Sequence, residues 1–197
     1  ADLIVTGNRL THACCDAEHF VSLKERLKTA LLLFRNCPAC TLNLLTFVCE
    51  VGCAPQQSKF MWANMSADRP DVYTGGIPAA TVLLSENFAN GLYESCKYVH
   101  GLLGISAMPI ACGTKECSTS TMLDYWGGLS TGQAPFPITF KISNSPWQTP
   151  DGNILEPLNT PAARCDRPLT EVATLLVSYV KIETRKEISE TDGIPTN

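Results

Sequence analysis

A dense cluster of cysteines near the N-terminus constrains this chain more than any other feature of its sequence. Six of the ten cysteines lie in the stretch from residue 14 to residue 60. They are Cys14, Cys15, Cys37, Cys40, Cys49 and Cys53. Thiols spaced this closely either bind a metal ion or cross-link the fold through disulfides. The choice between these two chemistries decides which class of fold and which compartment the sequence indicates.

Disulfides are the interpretation that the cysteine count favours. Ten cysteines in 197 residues is an even number and a density that cytosolic proteins rarely reach. The pattern therefore indicates a disulfide framework and a secretory or lysosomal lumen. Asn64-Met65-Ser66 is the one N-glycosylation sequon of the chain, and it agrees with that compartment. Asn64 is accordingly predicted to carry a glycan.

A metal or redox site is the alternative reading of the same cysteines. Cys37 and Cys40 have the spacing of a redox pair or of half a zinc site, but the segment before them is helical rather than a strand. Cys49 and Cys53, with three residues between them, keep zinc open as the less favoured option. The histidines are not grouped at metal-ligand spacing, so no metal site is predicted. They are His12, His19 and His100.

The charge and hydropathy of the chain exclude several classes of function. Charged residues make up 17% of the chain, below the roughly 25% of ordinary soluble domains, and the net charge is −4. An acidic chain of this kind offers no basic surface for nucleic acid. The longest run of aliphatic and aromatic residues covers only positions 30–34, far too short to span a bilayer. Without a visible signal segment, the chain is expected to be mature, cytosolic or cut from a larger protein.

Hydrophobic periodicity and turn residues predict the secondary structure. Helices are expected from an N-cap at Asp16 to about Arg35, over 38–49, over 81–99 and over 121–126. The second of these is apolar almost all round, so it should be buried. Alternation over 138–142 predicts a strand, and β-branched residues over 172–182 favour another. The remaining segments, 54–79, 101–113 and 143–168, read as loops or irregular structure.

No catalytic signature occurs in the sequence. It contains no phosphate-binding loop, no dinucleotide fingerprint and no nucleophile elbow. Asp124 beside Tyr125 is better explained as an exposed acid on a short helix than as a catalytic carboxylate. The sequence therefore predicts no catalytic residue and no cofactor, and the chain is expected not to be an enzyme.

One face of the first helix carries a polar, an apolar and a cationic residue in turn. His19, Leu23 and Arg26 are spaced i, i+4 and i+7, so they share a helix face. Such a stripe can line an elongated cavity, although a solvated helix edge explains the same spacing. Periodicity alone leaves both readings open.

A series of motifs in constant order resembles the N-terminal luminal domain of the Niemann-Pick type C sterol transporter family, including its intestinal relative. The cysteine pattern from Cys14 to Cys53 is followed by a short proline-glutamine-serine motif, and further matches extend to about residue 166. The motifs are Cys14-Cys15, Cys37-Pro38-x-Cys40, Cys49-x-x-x-Cys53, Pro55-x-Gln57-Ser58-x-Phe60, Asn87-Phe88-Ala89-Asn90, Leu92-Tyr93, Cys96, Cys112-Gly113 and Gly132-Gln133-Ala134-Pro135-Phe136.

The resemblance implies an α+β domain in which several helices surround a small mixed β-sheet and enclose an apolar ligand cavity. It implies a sterol such as cholesterol bound with the hydroxyl inward, transport rather than catalysis, and no cofactor. The expected partners are sterol, a small soluble sterol-carrier protein of the Niemann-Pick type C pathway and the rest of a multi-pass membrane transporter. The expected location is the lumen of the late endosome or lysosome, or the extracellular face of the plasma membrane. The sterol-binding domain is expected over 1–168, with a divergent segment over 169–197.

Site residues are carried over from the family position by position. His19 falls where the family usually has a glutamine that hydrogen-bonds the sterol hydroxyl, and Arg26 replaces an asparagine. The apolar wall falls on Leu23, Val48, Ile110, Ala111, Pro135, Phe136 and Ile138. The implied disulfides are Cys15–Cys53, Cys40–Cys96 and Cys112–Cys117.

Two parts of the family pattern have no match in this sequence. They are an additional N-terminal segment with several cysteines and an asparagine, and a cysteine-dense C-terminal end. Cys14 and Cys49 consequently lack their usual partners, as do Cys37 and Cys165. Since Cys37 and Cys165 lose partners in the same tail, we expect them to pair with each other.

Two other functions fit part of the sequence. A disulfide-rich carrier of another small ligand, such as an aromatic vitamin, would place several aromatic residues in its cavity. The three tryptophans, Trp62, Trp126 and Trp147, are scattered on segments that read as loop-like, which favours an aliphatic ligand. A protein-interaction ectodomain without a cavity would also suit the low charge.

Overall fold

The computed structural model describes residues 4–6, 9–11, 17–65, 77–100, 104–132 and 134–163. The helices are α1 Ala17–Phe34, α2 Pro38–Cys53, α3 Glu86–Cys96, α4 Met108–Cys112 and α5 Thr119–Gly127. The strands are β1 Ile4–Thr6, β2 Arg9–Thr11, β3 Met61–Ala63, β4 Ala80–Leu84, β5 Ile138–Ile142, β6 Trp147–Gln148 and β7 Ile154–Leu155. The predicted boundary at residue 168 and the predicted strand over 172–182 lie outside these residues.

The central sheet has three strands in the order β3-β4-β5. β3 and β4 are antiparallel, whereas β4 and β5 are parallel, so the sheet is mixed. Parallel neighbours need a crossover connection, and here it contains α3, α4 and α5. Two antiparallel pairs, β1-β2 and β6-β7, accompany the sheet. This arrangement confirms the predicted α+β fold with a small mixed sheet.

Helix α2 has the largest number of buried residues among the described helices. Cys37 precedes it in an extended conformation, its sulfur accepts the Cys40 N–H at 3.5 Å, and Pro38 occupies the first turn, where no N–H donor is needed. The helix ends before Pro55, which cannot continue it. Nine of its residues are buried, which confirms the prediction from its apolar composition. They are Ala39, Cys40, Thr41, Asn43, Leu44, Leu45, Phe47, Val51 and Cys53.

The prediction of one helix over 81–99 was wrong in its first part. Residues 80–84 form strand β4, and every one of them is buried. A short apolar run buried on both faces has no alternation, so periodicity cannot distinguish it from a buried helical turn. Ser85 then caps α3, because its Oγ accepts the Phe88 N–H at 3.1 Å.

Other predicted elements agree or differ in detail. Helix α1, helix α5 and strand β5 occupy the predicted positions, with α5 extended to Thr119 by a capping box at Ser118. Short regular elements lie where loops were expected, namely β3, α4, β6 and β7. Trp62 and Trp147 therefore lie on β3 and β6, which corrects their assignment to loop-like segments. Trp126 lies on α5, so for this residue the predicted helix over 121–126 is right and the loop-like assignment is wrong.

Two disulfides between described residues tie these elements together. Cys40–Cys96 joins the first turn of α2 to the last turn of α3, with 4.9 Å between the Cα atoms and a sequence separation of 56. Cys112–Cys117 joins the last residue of α4 to a cysteine five positions later, in the connection before α5. The family resemblance implied both of these bridges, and the third implied bridge, Cys15–Cys53, includes a cysteine that lies outside the described residues.

A cluster of aromatic rings centred on Phe47 forms the middle of the core. Its ring centroid lies 5.4 Å from that of Trp126 on α5, 5.5 Å from that of Phe140 on β5 and 6.5 Å from that of Phe88 on α3. Tilted rings at these separations interact favourably beyond the area they bury. Phe47 is only 4% exposed. This one buried side chain therefore packs α2 against α3, α5 and the sheet.

Replacing Phe47 should therefore destabilise the whole domain. Phe47→Ala is expected to lower the free energy of unfolding by roughly 3–5 kcal/mol, because it removes a buried ring and leaves a cavity. Phe47→Leu retains much of the volume and should cost clearly less. Urea unfolding of the oxidised proteins measures both values, and equal losses for the two variants would contradict the central role of the ring.

Candidate functional site

The nine predicted sterol-contact residues lie on four segments of the fold. His19, Leu23 and Arg26 are on α1, and the side chains of His19 and Arg26 lie outside the described part of the structure. Val48 is on α2, and Ile110 and Ala111 are on α4. The last group comprises Pro135, Phe136 and Ile138, in β5 and the turn before it.

Burial differs widely among the seven apolar residues of the predicted sterol-contact set. Ala111 is buried in the core at 8% exposure, and Val48 and Ile138 are half-buried against the core. Leu23 and Phe136 are also half-buried. Ile110 is 57% exposed, and Pro135 is exposed as well. The predicted wall residues therefore range from buried to exposed, with Ala111 the most buried and Ile110 and Pro135 exposed.

Helix α1 lies close to α2 because a glycine is present at the crossing. A Cβ atom placed on Gly52 would lie 2.9 Å from Leu23 Cδ1, so the Leu23 side chain rests directly on the α2 backbone. Any larger residue at position 52 would displace Leu23. The contact fixes the position of one predicted wall residue relative to α2, which carries Val48.

Helix α5 connects α4 to the sheet. Trp126 Nε1 donates a hydrogen bond of 2.9 Å to the Ala111 carbonyl oxygen, and the Tyr125 ring covers Gly113, which has φ +66°. Gly127 lies so close to the Ile138 carbonyl oxygen that there is no room for a Cβ atom. Trp126 thus contacts both Phe47 and the predicted wall. Sequence reasoning missed its role, although its place near the end of a capped helix was a usable signal.

The buried side-chain amide of Asn43 fixes the chain after β7 to helices α2 and α3. Asn43 Nδ2 donates to Ser95 Oγ at 2.9 Å and to the Ala163 carbonyl oxygen at 2.8 Å, and Asn43 Oδ1 accepts the Ala163 N–H at 2.7 Å. Ala162 packs on Gly91 so closely that a Cβ there would overlap it. Among the described residues, no buried side-chain nitrogen or oxygen lacks a hydrogen-bond partner.

The described residues contain no group of three or more His, Cys, Asp or Glu side chains able to hold a metal ion. Cys53 is disulfide-bonded, while its predicted partner Cys15 lies outside the described residues, as does Cys165. Nor does any described helix have the length and hydropathy to cross a membrane.

The comparisons with known proteins agree with this architecture. The family model described as Niemann-Pick C1 N terminus matches residues 5–174. This chain therefore belongs to the Niemann-Pick C1 N-terminus family, as the motifs predicted. It is similar to the Sus scrofa "NPC intracellular cholesterol transporter 1", with 30% identity over 166 residues, 81% of this chain and 13% of that protein.

Two further relatives are similar over most of the chain or two thirds of it. The Homo sapiens "NPC1-like intracellular cholesterol transporter 1" is 31% identical over 160 residues, 79% of this chain and 12% of that protein. The Drosophila melanogaster "NPC intracellular cholesterol transporter 1 homolog 1b" is 29% identical over 134 residues, 66% of this chain and 10% of that protein. The chain spans only about an eighth of the length of these relatives.

Glu50 on α2 gives the domain a pH dependence that can be measured. Partial burial raises the pKa of its carboxyl, because desolvation disfavours the charged form. The folded state holds this proton more tightly than the unfolded state, so stability is lost as the pH rises through the raised pKa. Glu50→Gln should therefore increase the free energy of unfolding at about pH 7 and have little effect at about pH 4.

Denaturant unfolding at the two pH values tests this expectation. Glu116→Gln, the same substitution at an exposed carboxyl, is the matched control and should leave the pH dependence unchanged. A Glu50→Gln effect of the same size at both pH values would rule out the titration of Glu50 as its cause.

Proposed function

We propose that this chain binds one sterol such as cholesterol in an internal pocket, with the ring hydroxyl innermost and the alkyl tail near the mouth. The observation that carries the proposal is the match to the Niemann-Pick C1 N-terminus family over 5–174. Three similar proteins are named cholesterol transporters. In this proposal the chain changes no covalent bond, needs no cofactor and is not an enzyme.

The arrangement of the described residues supports an apolar binding surface. Val48 and Ile138 pack against the same core cluster that includes Ala111 and Phe47. Val48 and Ile138 therefore belong to elements that the aromatic cluster holds together, and Trp126 of that cluster hydrogen-bonds to Ala111. Phe136 and the exposed Pro135 and Ile110 lie further out, where the sterol tail would leave the protein.

Apolar burial should set the affinity and the hydroxyl contact should set the orientation. A sterol offers about two dozen carbon atoms, so its burial contributes on the order of 10 kcal/mol or more before the cost of association. One hydrogen bond adds only about 1 kcal/mol net, but a buried hydroxyl without a partner costs about 1–3 kcal/mol. We assign the hydroxyl contact to His19, since a neutral imidazole can donate or accept this bond.

The proposed setting follows from the relatives. The chain would act as the sterol-binding part of a multi-pass membrane transporter, in the lumen of the late endosome or lysosome or on the extracellular face of the plasma membrane. It would receive sterol from a small soluble carrier protein. The coverage of about an eighth of the relatives' length leaves room for such a membrane-embedded remainder.

Equilibrium binding of radiolabelled cholesterol to the oxidised protein tests the proposal directly. Unlabelled cholesterol should displace the label, whereas a sterol whose hydroxyl is masked should not, because the hydroxyl is bound inside. No saturable binding by a folded, fully oxidised sample would overturn the proposal and favour an interaction module.

Truncating a wall residue should weaken binding without unfolding the protein. Leu23→Ala removes three carbon atoms from the wall, so the Kd for cholesterol should rise by roughly 30-fold, which corresponds to about 2 kcal/mol. Leu32→Ala is the matched control, because Leu32 is on the same helix and 60% exposed. Equal Kd values for the two variants would show that Leu23 does not line the sterol site.

Acidification should weaken or reorder sterol binding if His19 contacts the hydroxyl. Histidine gains its charge between about pH 8 and pH 5, and a cation in an apolar pocket is costly. His19→Gln keeps a polar hydrogen-bonding group but does not titrate. The Kd of this variant for cholesterol should therefore be the same at about pH 8 and about pH 5. Identical pH profiles for the two proteins would count against the assignment of His19.

A further inference from the structure

The outer face of the central sheet carries a tryptophan beside the glycosylation sequon. Met61 packs on the core, and successive strand residues point to opposite faces, so Trp62 points to the other side of the sheet. Asn64 N donates to the Ala79 carbonyl oxygen at 2.8 Å, which continues the β3-β4 ladder one residue beyond the strand. Trp62 and Asn64, two residues apart, therefore lie on the same face.

Hydrogen bonds hold the Trp62 indole in place. Its Nε1 donates to Asp151 Oδ2 at 3.1 Å, and Asn153 Nδ2 donates to the same oxygen at 3.1 Å. Thr149 Oγ1 donates to the other carboxylate oxygen of Asp151. The hydrogen bond from Thr149, and to a smaller extent the one from Trp62, keep the pKa of the Asp151 carboxyl below its usual value. The carboxylate thus remains an acceptor for the indole N–H in mildly acidic solution.

A second indole supports the first. The rings of Trp62 and Trp147 meet edge to face, with 6.1 Å between their centroids, and Lys141 Nζ lies 4.2 Å from the Trp147 ring centroid. Trp62 nevertheless remains half-buried rather than buried, so part of its ring faces solvent. The result is a rigid aromatic surface next to a residue that the sequence marks for glycosylation.

We propose that the first N-acetylglucosamine of a glycan on Asn64 packs on the Trp62 indole. Two residues of a strand span about 7 Å, a distance that an asparagine side chain and one sugar ring can bridge. The sugar presents C–H groups with partial positive charge, and the indole face is negative, so the two surfaces attract each other. The occupant of this face is therefore the chain's own glycan, and the contact is independent of sterol binding.

Trimming the glycan separates this contact from a general effect of glycosylation. The protein is produced in a mammalian secretory line that makes high-mannose glycans, then cut to one N-acetylglucosamine or to none. The form with one N-acetylglucosamine should keep the stability of the fully glycosylated form, because the contact is retained. Complete removal should lower the folding equilibrium constant by roughly 2- to 10-fold, because the contact is lost. The difference between one sugar and none should vanish in Trp62→Leu and persist in Trp147→Phe.

A second measurement does not depend on stability. With ¹³C-labelled N-acetylglucosamine, the ring protons of the first sugar should shift upfield in the native protein, because they lie over the indole. The same protons should have ordinary shifts in Trp62→Leu. Ordinary shifts in the native protein, a stability difference that Trp62→Leu retains, or mass spectrometry showing Asn64 unmodified would each overturn the proposal.

Discussion

The contact of Phe47 with three other rings is the interaction on which the rest of this structure depends. It joins α2 to α3, α5 and β5 at a single buried point. The Cys40–Cys96 bridge fixes α2 to α3 at one end of the same interface. Because Val48 follows Phe47 and Trp126 donates to Ala111, these two residues of the predicted wall are positioned by the core. For the proposed sterol site, affinity and stability should consequently be linked.

The parts of the fold that could be predicted are those with a clear periodicity or a long apolar run. Helix α1 shows three- and four-residue spacing, α2 is apolar almost all round, and β5 alternates between half-buried and exposed residues. Strand β4 could not be recognised, because all five residues are buried and their pattern has no period. Strand β3 has only three residues and depends on pairing with β4, a long-range contact that local propensity does not encode.

The candidate site was predictable to a smaller extent. The family motifs indicated which positions to compare, but they did not show that Ala111 is buried while its neighbour Ile110 is 57% exposed. That difference arises because α4 is a five-residue helix with only one side against the core. The structural role of Asn43 was also missed. An asparagine inside an apolar helix gives no signal in the sequence unless its partner, 120 residues away, is known.

The amide of Asn43 also determines where mechanical load enters the domain. It satisfies both the N–H and the C=O of Ala163, as a neighbouring strand would, while Ala162 sits against Gly91 on α3. Tension applied to the chain beyond Ala163 therefore reaches α2 and α3 first, and these two helices are covalently joined through Cys40 and Cys96. The chain meets strand β4 only further back, at Leu158, whose N–H and C=O bond to Leu83 and Ser85, so a pull has to break the Asn43 hydrogen bonds before it reaches the central sheet.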